Sequence, residues 1–120
     1  EYLTWCVPGS PDIPVTQHML GQCMISLRGG SAKAETYVQS YHRVKAEGGE
    51  RDTAMGGRYL DVLEKREGEW RIAVRTMIYD WDRDLGVAAD WSKGLMGMAF
   101  LSENPTGKSQ GDASEAFFTG

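Results

Sequence analysis

Alternation of apolar and polar residues is the strongest pattern in the chain, and it predicts long β-strands. The clearest case is WRIAVRTMIYDW, residues 70–81, where one face carries Trp70, Ile72 and Val74. The predicted strands are residues 15–27, 33–46, 58–66 and 70–81. Glycine-rich turns between them predict an antiparallel meander, and we expect the last strand to lie near the centre of a strongly curved sheet.

Outside the strands the pattern is weaker. Residues 1–6 have the spacing of a final helical turn whose beginning precedes Glu1, so we expect more chain in front of it. The glycines of EGGERDTAMGG, residues 47–57, predict a loop. DWSKGLMGMAF, residues 90–100, predicts one helical turn, and residues 101–120 read as a polar tail with an aromatic end.

Arg75 is the least expected residue of the last strand. It lies between Ala73 and Met77 on the strand face opposite Trp70, where a partly buried guanidinium needs a partner. One interpretation is pairing across the sheet with Asp61 or Glu64, or exposure to solvent. The other is the wall of a small-molecule pocket, where an arginine stabilises negative charge on an oxygen or a leaving group.

The two histidines and a late aspartate are the other candidates for chemistry. His18, near the start of a strand, is either a general base or a histidine hydrogen-bonded at a strand end. His42 is expected to be an ordinary amphipathic residue. Asp80 is expected to close the strand with a local backbone bond.

Composition narrows the class of protein. The 120 residues suit one domain, here the single domain 1–120, and the net charge of −4 without a basic cluster argues against nucleic acid. No apolar run is long enough for a membrane helix. Cys6 and Cys23 lack metal-ligand spacing, so we expect two small buried thiols in a reducing, cytoplasmic environment. Walker, GxSxG and zinc motifs are absent from the sequence.

An ordered set of short motifs resembles the SnoaL-like polyketide cyclase and dehydratase family. The resemblance covers about Tyr2 to Trp81, with weaker agreement near GDASEAFF. The motifs are His-x-x-Gly, Glu-x-Tyr, Tyr-His-Arg, Gly-Gly-Arg-Tyr, Glu-x-Trp-Arg-Ile-Ala and Tyr-Asp-Trp. The branch most similar to them holds hexachlorocyclohexane dehydrochlorinase, scytalone dehydratase and the bile-acid dehydratases.

The resemblance implies an α+β fold, a cone-shaped curved antiparallel sheet with helices covering its concave face around an apolar pocket. It implies His18 as the base and Arg75 as the residue that stabilises the leaving group. The aspartate that orients the histidine in that family is on an N-terminal helix, so we expect it upstream of Glu1 and expect this chain to lack the N-terminal helical segment.

The expected function is that of a cofactor-independent lyase or isomerase acting on a small, mostly apolar cyclic or aromatic substrate. The alternative is a non-catalytic binding or oligomerisation module of the same fold. The expected partners are an apolar ligand and further copies of the chain, in a trimer or a dimer, without nucleic acid, membrane or metal. The residues expected to line the ligand site are Tyr37, Tyr41, Met77 and Tyr79.

Overall fold

A computed structural model of the protein describes residues 10–99 and 113–119. Four strands form one sheet in the order β1-β2-β3-β4, and two-residue turns join them, so neighbours run antiparallel. This confirms the predicted meander. A short 3₁₀ helix (Trp91–Lys93) and a helix α1 (Ala113–Thr119) follow the sheet. The strands are β1 (Val15–Arg28), β2 (Ser31–Ala46), β3 (Gly49–Arg66) and β4 (Glu69–Val87).

The three hairpin turns use backbone conformations that favour glycine. Gly29, Gly48 and Gly68 have φ angles of 58°, 84° and 85°, and Glu67 precedes Gly68 with a φ of 52°. Positive φ angles at these positions match the right-handed twist of the flanking strands. The glycine-rich turns predicted between strands 15–27 and 33–46 and between strands 58–66 and 70–81 are confirmed.

The prediction of a loop over residues 47–57 is wrong. Only Glu47 and Gly48 form a turn, and β3 begins at Gly49. The glycines that suggested a loop lie inside the strand at sites of close approach. A Cβ atom on Gly56 would lie 2.2 Å from Nε1 of Trp81, and one on Gly57 would lie 2.0 Å from the carbonyl oxygen of Ile78. Glycine therefore lets β4 pack against β3 here.

Three other expectations need correction. β4 continues to Val87 and is the edge strand of the described sheet rather than a central one. Residues 113–119 form a helix rather than the end of a tail, and Cys23 is exposed rather than buried. The helical turn after Asp90 is confirmed, whereas the helix predicted at 1–6 lies outside the described residues. Among the described residues, no helix is long and apolar enough to cross a membrane.

The chain divides into two compact units. The first unit comprises Glu1–Thr16, His42–Asp52 and Leu85–Gly120, and the second unit comprises Gln17–Tyr41 and Thr53–Asp84. Few apolar side chains are buried in the described residues, namely Ile13, Ala32 and Val38. Each unit does bury one member of an arginine–aspartate pair, Arg43 in the first unit and Asp61 in the second.

Candidate functional site

All six residues that the sequence proposed for a site lie in the second unit. His18 is on β1 and Arg75 is on β4. The candidate ligand residues are on β2 (Tyr37, Tyr41) and on β4 (Met77, Tyr79). The structure thus places the proposed residues within one compact unit. Their roles in catalysis and binding stay predictions.

Arg75 is held by a buried carboxylate. Its Nε donates to Oδ1 of Asp61 at 2.7 Å and its Nη2 donates to Oδ2 at 2.8 Å. The side chain of Asp61 is 6% exposed and that of Arg75 is 43% exposed. Of the partners considered from the sequence, the structure selects Asp61 rather than Glu64. This fork-to-fork geometry is the strongest and most directional form of an ion pair.

An aromatic ring also lies against the Arg75 guanidinium. The Cζ atom of Arg75 is 3.9 Å from the centroid of the Tyr59 ring. Tyr59 and Asp61 are two residues apart on β3, so they share the face of the sheet that Arg75 occupies. A ring below and a carboxylate beside it restrain the guanidinium in two directions, while nearly half of the side chain stays accessible.

Arg58, the residue before Tyr59 on β3, points to the other face. Its Nε and Nη2 donate to the two carboxylate oxygens of Asp80 at 3.0 and 3.1 Å, and its Nη1 lies 3.7 Å from Glu35. The bonds from Arg58 lower the pKa of Asp80 below its usual value. Asp80 therefore pairs across strands instead of closing β4 with a local backbone bond, as the sequence had suggested.

The remaining proposed residues differ in exposure. His18 is exposed on β1, and Tyr37 and Tyr79 are 53% and 66% exposed. Tyr41 is half-buried on β2. Met77 is half-buried on β4, where its terminal methyl group lies close to Gly57. An exposed imidazole on a strand is accessible to a ligand, as a general base must be.

The first unit also contains an arginine–aspartate pair, which the sequence did not predict. Nε and Nη2 of Arg43 donate to Asp52 at 2.8 and 3.1 Å, and Nη1 donates to the carbonyl oxygen of Ala89 at 3.3 Å. The Cζ atom of Arg43 is 5.8 Å from the ring centroid of Trp91. The Arg43 side chain is 5% exposed, so its contacts join β2 and β3 to the segment after β4.

The 3₁₀ helix beside this pair has a capping aspartate. Oδ1 of Asp90 accepts bonds from the backbone nitrogen of Ser92 at 3.0 Å and from its hydroxyl group at 2.6 Å. These bonds lower the pKa of Asp90. The cap orients the turn that carries Trp91.

A cavity of about 130 Å³ opens beside the β1–β2 turn in the second unit. None of the six proposed site residues is among its lining residues, Ser26, Arg28, Ser31, Ala32 and Lys33. Within residues 10–99 and 113–119, no group of three or more His, Cys, Asp or Glu side chains is placed to hold a metal ion. The candidate site is therefore defined by Arg75 and its two partners.

Comparison with known proteins gives one family. The model of the SnoaL-like domain matches residues 1–76 of the chain. No curated protein matches it significantly.

Solved structures show the same fold at low sequence identity. A hexachlorocyclohexane dehydrochlorinase, LinA type 2, is 16% identical with a TM-score of 0.59, over 67% of this chain and 55% of that one. A protein from Novosphingobium aromaticivorans, provisionally named scytalone dehydratase, is 24% identical with a TM-score of 0.55, over 66% and 52%. The Kfla4162 protein from Kribbella flavida is 16% identical with a TM-score of 0.54, over 60% and 51%. The chain spans about half the length of these structures.

Proposed function

Because the chain belongs to the family of SnoaL-like domains, we propose that it is a cofactor-independent lyase or isomerase. Its substrate would be small, mostly apolar and cyclic or aromatic. The reaction would be an elimination of the dehydratase or dehydrohalogenase kind, or an isomerisation that begins with the same proton abstraction. His18 would act as the general base and Arg75 would stabilise the charge that develops.

In the elimination, the His18 imidazole takes a proton from a substrate carbon. The electrons of that C–H bond form a carbon–carbon double bond while the bond to the leaving group on the next carbon breaks. Negative charge grows on the departing oxygen or halogen, next to the Arg75 guanidinium. A departing hydroxyl group leaves as water after it receives the proton from the imidazolium, whereas a halide leaves as the ion.

The observation that supports this proposal is that the Arg75 guanidinium is both held in place and accessible. Its guanidinium is oriented by Asp61 and Tyr59, yet 43% of the side chain is accessible. Arg43 in the first unit, by contrast, is enclosed by its partners and is 5% exposed. A fixed, accessible donor in a fold shared with a dehydrochlorinase and a provisionally named dehydratase supports charge stabilisation as its role.

The test uses the substrates named in those two structures as probes. Chloride release from hexachlorocyclohexane and water loss from scytalone are measured for the wild type, Arg75→Ala and His18→Ala. We expect the wild type to turn over at least one of the two probes. Arg75→Ala should lower that turnover by on the order of a hundredfold or more. The loss in His18→Ala should be roughly a hundredfold to ten-thousandfold. Both variants should keep the wild-type melting temperature within a few degrees. A lower melting temperature with residual turnover would contradict these roles.

The alternative function is a non-catalytic binding or oligomerisation module, and one surface favours it. Trp70, Ile72 and Val74 are 41%, 48% and 56% exposed at alternate positions of β4. Apolar side chains aligned in this way are typical of contact surfaces. We propose that this surface contributes to a homo-oligomer, a trimer or a dimer. Light scattering at micromolar concentration should report that oligomer and should report a smaller species for Ile72→Lys. A wild-type monomer would exclude it.

A further inference from the structure

Asp61 and Tyr59 contact the guanidinium of Arg75 on two sides. We propose that both are positioning residues, which hold Arg75 where the departing group develops its charge. This inference rests on the proposed function. It adds a carboxylate and a ring that act through Arg75 and not on the substrate itself.

The carboxylate determines the plane of the guanidinium. Asp61 accepts from Nε and Nη2, which lie on one edge of the guanidinium, at 2.7 and 2.8 Å. Two parallel bonds allow neither rotation about the Cδ–Nε bond nor tilting out of the carboxylate plane. Because Asp61 is 6% exposed, it is itself held by the sheet and offers a fixed reference point.

The tyrosine ring determines the height of the guanidinium above the sheet. A Cζ-to-centroid distance of 3.9 Å means that Arg75 lies in direct contact with Tyr59. Tyr59 and Asp61 are on the same face of one strand, so their spacing is set by the backbone of β3. Electrostatic stabilisation depends on donors that are oriented before the reaction, because reorientation during the reaction would cost part of the gain.

The geometry indicates that Asp61 acts by fixing the position of the Arg75 guanidinium and not by its negative charge alone. Glutamate keeps the charge but is longer by one methylene group, so it moves the guanidinium by about 1 Å, a displacement that can cost on the order of a hundredfold in rate. Asparagine keeps the shape but loses the charge and one of the two acceptors. A purely structural pair would tolerate glutamate better than asparagine.

The first experiment measures turnover and melting temperature with the probes named above. Asp61→Asn and Asp61→Glu should each lower turnover at saturating probe by roughly tenfold to a hundredfold, with the Michaelis constant changed by less. Tyr59→Phe, which keeps the ring, should behave as the wild type, and Tyr59→Leu should lower turnover. Asp52→Glu in the first unit is the matched control and should leave turnover per folded molecule unchanged. Full turnover in Asp61→Glu would overturn the positioning role.

The second experiment needs no substrate. The Nε–H signal of Arg75 is assigned in ¹⁵N spectra by its absence in Arg75→Lys, and its exchange with water is measured. Loss of the charge-assisted bonds should make this exchange faster by on the order of tenfold in Asp61→Asn. An unchanged exchange rate would overturn the inference. If the wild type turns over neither probe, the proposed reaction fails, while this measurement still decides whether Asp61 orders Arg75.

Discussion

Among the arginine–aspartate pairs of the described residues, Arg43–Asp52 and Arg75–Asp61 make the same bidentate contact but differ in which partner is buried. In the first unit Arg43 is the buried partner, at 5% exposure, and its third donor group binds a backbone carbonyl. In the second unit the aspartate is buried and the arginine stays 43% exposed. The buried Arg43 guanidinium therefore holds chain segments together, whereas the Arg75 guanidinium is accessible at the surface.

This difference in burial indicates which of the two arginines is available to contact a ligand. A guanidinium enclosed by a carboxylate, a carbonyl and an indole stabilises the fold and offers little to a ligand. A guanidinium oriented from behind by a buried carboxylate and a ring is both ordered and accessible. Short bonds alone do not separate the two pairs, since their Nε–Oδ1 distances are 2.8 and 2.7 Å. The pairs differ in which partner is buried, the arginine in the first pair and the aspartate in the second.

The largest effect on stability is expected from breaking the enclosed pair. Asp52→Asn leaves the Arg43 charge buried without its counter-ion, which should lower the free energy of unfolding by about 3 to 5 kcal/mol. Arg75→Ala removes a side chain that is 43% exposed, so water can replace it beside the Asp61 carboxylate and the loss of unfolding free energy should be smaller. Urea unfolding of the two variants gives both values. Equal losses would remove the distinction between the pairs.

The next prediction compares the stability effects of substituting two neighbouring glycines of β3, Gly56 and Gly57. Gly57→Ala places a Cβ atom against the backbone oxygen of Ile78, which cannot move alone, whereas Gly56→Ala meets only the ring of Trp81. We expect Gly57→Ala to lose about 1 to 3 kcal/mol of unfolding free energy and Gly56→Ala to lose less. The control is Trp81→Ala, which should rescue Gly56→Ala but not Gly57→Ala. Rescue of both, in thermal unfolding, would contradict the packing described for β3 and β4.

The smallest effect concerns Asp80, whose ion pair with Arg58 is exposed. Because the bonds from Arg58 lower the pKa of Asp80 in the folded state, the pair contributes stability above the unfolded pKa of about 3.9. That contribution is lost as the pH falls through the lower folded pKa. Melting temperatures of the wild type and Asp80→Asn should therefore differ slightly at pH 6 and converge near pH 2. A difference that grows toward acid would have the wrong sign.

The sequence predicted the four strands and their order because alternation and hairpin glycines are local signals. It failed at residues 49–57, where Gly56 and Gly57 look like loop residues but serve close packing between strands. Because residues 47–57 were predicted to be a loop, the pairing of Arg43 with Asp52 could not be predicted either. With the turn placed at Glu47–Gly48, Ala46 faces Gly49 and Arg43 faces Asp52.

The partner of Arg75 was harder to predict for a different reason. Uninterrupted pairing from the turn at Glu67–Gly68 would place Asp61 opposite Val74 and Leu60 opposite Arg75. The observed bond from Arg75 to Asp61 is offset by one residue from this simple register. The alternation of apolar and polar residues gives no signal of that offset. Asp61 could be proposed as a partner, but the contact itself needed the structure.

The decisive measurement is the turnover of hexachlorocyclohexane and scytalone by Arg75→Ala and Asp52→Asn, each corrected for the folded fraction. We predict that Arg75→Ala loses turnover by on the order of a hundredfold or more while its fold is retained. Asp52→Asn should keep the wild-type turnover per folded molecule despite its lower stability. Equal turnover losses in the two variants, or full turnover by folded Arg75→Ala, would contradict the assignment of one pair to the fold and the other to the chemistry.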